Sequence, residues 1–149
     1  MAANLTAYGP SGGVAFQAQQ SSNQLNLGAG TTAIALGTEI FDLGGNFASS
    51  TFTAPVTGKY QLNYQIRLQN VDSANPYVYP RISTSNRDYE NIWTTSKFSA
   101  DMDYMCLGVY IVADMDASDT AVAQVNIQGG TAQTDTEQTS CYFSGFLIG

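Results

Sequence analysis

The chain has 149 residues, which one domain with a single core accounts for, and only 11% of them are charged. Twelve acids against five bases give a net charge of −7, which excludes a phosphate-gripping nucleic-acid module and an anionic membrane surface, since both need clustered Lys and Arg. Histidine is absent, and with it the commonest general base and metal ligand.

Residues 1–13 carry Gly9, Pro10, Gly12 and Gly13 and little hydrophobic pattern. They read as an extended arm or attachment segment ahead of a single domain over 14–149. The same stretch lacks the positive flank and apolar core of a cleaved leader. Residues 14–18 alternate apolar and polar, as a first strand does, and 21–37 form a loose Gly/Thr/Ser segment with one or two short strands. Residues 40–47 lead into a turn at Gly44-Gly45-Asn46. Phe52 sits on a short strand, and Pro55 and Gly58 bracket the next turn, one fixing φ and the other free to take it positive.

The clearest pattern follows. Tyr60, Leu62, Tyr64, Ile66 and Leu68 alternate with Gln61, Asn63, Gln65, Arg67 and Gln69. A period of two over this length is a strand with one face on a core and one in water. Residues 77–82 and 89–93 predict a hairpin around 83–88, and Pro80 predicts that its strand lies at a sheet edge or ends there. Residues 97–103 form a polar, acidic loop. Residues 104–113 are apolar on both faces, so that strand needs a cover on each side. The run is too short to span a bilayer, so no membrane insertion is expected. A turn over 114–120, a strand over 121–127 and a Thr/Gln-rich loop over 129–140 come next. The final strand, 141–148, carries Tyr142, Phe146 and Ile148 on one face and Phe143 and Leu147 on the other. Cys106 and Cys141 sit in apolar runs and read as buried free thiols rather than a disulfide. No stretch keeps a helical period, so the expected fold is an all-β antiparallel sandwich.

The constellations for catalysis are poor, and no enzyme is expected. No histidine completes a triad, and neither a nucleophile elbow nor a P-loop is present. The close acid pairs, Asp101 with Asp103 and Asp114 with Asp116, read first as solvated turn charges. They are also the candidate ligands for a structural calcium, which takes carboxylate oxygens from flexible loops, although an EF-hand's glycine and closing glutamate are missing. No other cofactor is indicated. The hairpin is the candidate ligand-binding surface: Tyr77, Tyr79 and Arg81 share one strand face, Tyr89, Asn91 and Trp93 share a face of the partner, and Arg87 stands at the tip. Packing inside the sandwich is the competing use of those aromatics. The doubly apolar strands give a candidate contact between copies, with Tyr104, Cys106, Val109 and Ile111 beside Tyr142, Phe146 and Ile148.

The stretch FTAPVTGKYQLNY, residues 52–64, resembles the central motif of the complement component 1q globular-head family, a branch of the tumour-necrosis-factor-like fold. That motif places a Phe, a Pro and a Gly before an aromatic-x-aromatic strand, and here Leu62 and Tyr64 occupy the strand positions after Tyr60. GVAFQAQQ (13–20), IFDLGGNF (40–47), DMDASDTAVAQV (114–125) and CYFSGFLIG (141–149) resemble further family segments in the same order. The resemblance implies a jelly roll of about ten strands that assembles as a homotrimer around a threefold axis. Some relatives hold calcium near the trimer apex, but their ligands do not map onto this chain residue by residue. With no collagen repeat and a surface rich in Thr, Gln and Asn, the chain is similar in flavour to members from bacteria and their viruses. By that analogy it is a virion or extracellular module, such as a phage tail or head fibre protein. It would bind a host-surface carbohydrate or protein receptor and join other virion proteins through its N-terminal arm. A capsid decoration or fibre cap without a ligand, and a secreted lectin-like or immune recognition protein, are the alternative readings.

Overall fold

The computed structural model describes residues 13–149, so the arm expected over 1–13 lies, but for Gly13, outside the described residues. Its strands in chain order are β1 (Ala15–Gln19), β2 (Gly30–Ala33), β3 (Thr38–Leu43), β4 (Phe47–Ala48), β5 (Thr51–Thr53), β6 (Gly58–Val71), β7 (Tyr77–Thr84), β8 (Asp88–Glu90), β9 (Met102–Met115), β10 (Thr120–Gln128), β11 (Asp135–Thr136) and β12 (Tyr142–Leu147). They form two antiparallel six-stranded sheets, the sandwich that the sequence pattern predicts and the jelly roll that the resemblance implies, with twelve strands where about ten were expected. In the first, β9 pairs one side of β6, and β12 and β11 share the other; β1 and β3 follow beyond β12. In the second the order is β4, β5, β10, β7, β8, with β2 beside β5 along the same side of β10.

The alternation that marks β6 is realised in full. Tyr60, Leu62, Tyr64, Ile66 and Leu68 are completely buried, and the intervening polar residues point away. The core closes around aromatic rings drawn from both sheets. Phe16 of β1 stacks on Phe47 and Phe52 at centroid distances of 4.9 and 4.7 Å, and meets Phe143 of β12 edge-on at 5.0 Å. Room for Phe16 comes from Gly145, where a Cβ would fall 2.8 Å from its ring and 2.6 Å from Leu62. A sandwich interior is packed to crystal-like density, so an inward position facing two large side chains must be empty of its own.

Pro80 departs from expectation. It is buried in the middle of β7, which pairs β10 on one side and β8 on the other, so its strand is neither an edge nor ended there. The missing N–H is accommodated by a break in the neighbour: β8 stops at Glu90, Asn91 N–H donates to the Pro80 carbonyl at 3.3 Å, and pairing resumes only at the Val78–Trp93 bridge. The ladder opens where proline cannot donate.

Candidate binding surfaces

The outer face of the first sheet is apolar at one end. Register places Val112, Gln61, Phe146, Ala15 and Leu43 in one row across β9, β6, β12, β1 and β3. The next row runs Tyr110, Asn63, Ser144, Gln17, Phe41. Of these, Val112, Tyr110, Phe146, Phe41 and Leu43 are exposed, Phe146 to 48%, and Ile148 continues the patch past the end of β12. Farther along β9, Tyr104 is 64% exposed and stacks under the Arg67 guanidinium at 5.3 Å. Cys106, opposite Arg67, is also exposed, which corrects its reading as a buried thiol. Cys141 is the buried one; burial pushes its thiol pKa up to about 11, and neither cysteine is in a disulfide.

The contact residues anticipated on β9 divide by parity. Tyr104 and Cys106 face outward with Tyr110 and Val112, whereas Val109, 5% exposed, and Ile111 pack against the core. Val109 and Ile111 therefore do not belong to the exposed face, and Tyr110 and Val112 replace them. On β12, half-buried Tyr142 and exposed Phe146 stand on the outer face as read, and Ile148 is exposed beyond them. A second apolar patch of different make-up lies at the open edge between the sheets: Ile92, Trp93 and Phe98 are exposed, and Asn91 Nδ2 reaches the Gly108 carbonyl of β9 at 3.0 Å.

The outer face of the second sheet is polar and aromatic. Tyr77, Tyr79 and Arg81 do share it. Tyr89 does not: it lies opposite Ile82, on the inner side, and packs against the core. Trp93 pairs Val78 at the edge and is 46% exposed there, so the hairpin's aromatics do not form one surface. Arg81 is held rather than free. Its Nε and Nη2 donate to Glu90 at 2.8 and 2.6 Å, its Nη1 lies 3.2 Å from Asp88, and it caps the Tyr79 ring. Arg87 at the hairpin tip is exposed.

The strand beside β7 supplies what the sequence reading passed over. Gln124, Asn126 and Gln128 of β10 lie opposite Arg81, Tyr79 and Tyr77, and Thr31 of β2 lies opposite Asn126. Gln128 Nε2 donates to Asn126 Oδ1 at 2.7 Å, and Asn126 Nδ2 donates to Thr31 Oγ1 at 2.6 Å. The signal was present as Gln124, Asn126 and Gln128 at every second position, alternating with Ala123, Val125 and Ile127.

The four candidate calcium ligands are not gathered. Asp101 and Asp103 stand at the start of β9, and Asp114 and Asp116 at its far end. Asp101 accepts from Ser73 N–H at 2.9 Å, from Ser73 Oγ and from Gln133, and these bonds hold its pKa below the ordinary carboxylate value. Asp114 pairs Lys59 Nζ at 2.6 Å, and Asp116 accepts from Thr57. Among the described residues no three His, Cys, Asp or Glu side chains are grouped to hold an ion.

No protein-family model matches this chain, and no curated protein sequence does. Solved structures do. The globular domain of zebrafish complement 1qA matches over 91% of this chain and 98% of its own, at 14% identity and a TM-score of 0.64. Murine APRIL at pH 8.0 matches over 92% of this chain and all of its own, at 10% identity and a TM-score of 0.66. At such identities the likeness is one of fold, and the fold is the jelly roll common to complement 1q heads and tumour-necrosis-factor-like proteins.

Proposed function

We propose that this chain is a non-enzymatic, homotrimeric binding module that turns its first sheet toward its own copies and its second toward a receptor. The observation that carries the reading is the exposed row of Val112, Phe146 and Leu43 across the first sheet. An apolar patch of this extent marks a contact surface. The edge patch at Ile92, Trp93 and Phe98 differs in composition from the face patch. Two unlike patches on one protomer favour a heterologous contact that closes as a ring, and the family resemblance supplies the number three. The finer assignment is a virion or fibre protein acting outside the cell on a host-surface receptor, with residues 1–13 joining it to other virion proteins. It rests on the sequence resemblance to bacterial and viral members.

Light scattering tests the assembly. The expected mass is three times the 15.9 kDa of one chain. Phe146→Lys, which places a charge at the centre of the apolar row, should reduce it to a single chain without unfolding the sandwich. A monodisperse single-chain mass for the parent at micromolar concentration would refute the reading.

A further inference from the structure

We infer that the outer face of the second sheet binds a neutral, hydroxyl-rich carbohydrate where Tyr77 and Tyr79 stand beside Asn126 and Gln128. The inference rests on the reading above that this face stays free in the assembly, and adds the chemistry of what it binds.

Charge narrows the ligand first. The cation on this face among the described residues, Arg81, is closed by Glu90 and Asp88, so it is not free to grip a carboxylate or sulfate. The chain as a whole carries −7, which repels an acidic sugar. Exposed Arg87 lies away from the amides, at the hairpin tip.

Hydrogen-bonding capacity narrows it further. The amides form a chain with one direction, from Gln128 to Asn126 to Thr31. Among the described residues its Gln128 end has a carbonyl oxygen with no donor, and its Thr31 end a hydroxyl hydrogen with no acceptor. Asn126, 5% exposed, is the buried middle of the chain, so the groups that meet a ligand are those of exposed Gln128 and Thr31. Donors and acceptors held in a row at strand spacing match the repeated hydroxyls of an extended saccharide, and linked bonds in such a chain reinforce one another. Tyr77 is nearly half exposed and offers both a ring face and a hydroxyl. A protein partner would be anchored by a large apolar side chain, and the exposed Trp93, Ile92 and Phe98 sit on the edge patch instead. The face is a sheet surface rather than a pocket, so each copy binds weakly and three copies together bind a repeating glycan with avidity.

The test is the full chain on a printed array of neutral, sialylated and sulfated oligosaccharides, followed by titration with the best binder and a light-scattering mass on the same sample. Neutral oligosaccharides are expected to bind. Tyr77→Ala and Gln128→Ala, both at exposed positions, should each weaken binding about tenfold or more with the mass unchanged. Asn126→Asp, which inserts a charge into the amide chain, should abolish it. A blank array, a preference for acidic sugars, or neutral binding indifferent to Tyr77→Ala and Gln128→Ala overturns the inference. A blank array from a particle of three-chain mass removes the ligand and leaves the assembly; array binding by a single chain does the reverse.

Discussion

Asp72 shows how a single side chain ties loops together in a protein with few charges. It is buried beside the turn at Gly129 and Gly130, both with positive φ. Its carboxylate accepts from Thr131 N–H at 2.7 Å, Ala74 N–H at 2.7 Å and Thr131 Oγ1 at 2.8 Å. Those bonds favour the charged form and lower its pKa, the Thr131 backbone donor most, against the raising effects of desolvation and Asp101. A depressed folded-state pKa means that the stabilisation is complete above the unfolded value, near 4, and is lost as pH falls through the lower folded value. Asp72→Asn should therefore unfold at lower urea than the parent at pH 7, with the gap narrowing as the pH falls below about 4. A gap independent of pH would mean that the carboxylate charge is not what holds the loops. None of this was legible in the sequence, where Asp72 reads as one turn residue among several; its partner Thr131 is fifty-nine positions away. Val109 and Ile111 failed for a related reason. An all-apolar run fits either face, and only pairing of β9 with β6, with Val109 opposite Tyr64, settles which residues go inward.

At the scale of elements, composition and punctuation explain most of what was foreseen. β6 carried a strict period of two and was legible residue by residue. β8 was not: a period read over 89–93 assumes a continuous strand, whereas β8 spans Asp88–Glu90 and the chain is irregular opposite Pro80. The β4–β5 hairpin holds an unspent margin of stability. Its two-residue loop, Ser49–Ser50, has φ of 50° and 62°, the left-handed pair of a type I′ turn, without the Asn or Gly that adopts it freely. Ser50 is retained by its hydroxyl, which accepts from Leu36 N–H at 2.8 Å. Ser49 has no such bond to Leu36, so Ser49→Asn should stabilise the fold by about 0.5–1 kcal/mol in chemical denaturation, by easing the left-handed penalty. No gain would mean that Ser49 is not strained by its φ.

For the whole molecule, the decisive feature is the contrast between the two outer faces, one greasy at one end and one lined with amides and tyrosines. The sequence showed that β9 and β12 carry apolar residues on both faces, but not that the amides of β10 would line up with the tyrosines of β7, because that alignment exists only once the register is formed. In the proposed assembly Cys106 is a built-in clock. Its sulfur lies on the face that the neighbouring copies would shield, while Cys141 is silenced by burial and a thiol pKa near 11. A maleimide dye should then attach at one position per chain, quickly after dilution to separated subunits and about tenfold more slowly when they are crowded together. The labelling curve against concentration would time subunit exchange without any engineered reporter, and a rate flat across concentration would place this cysteine outside the shielded area.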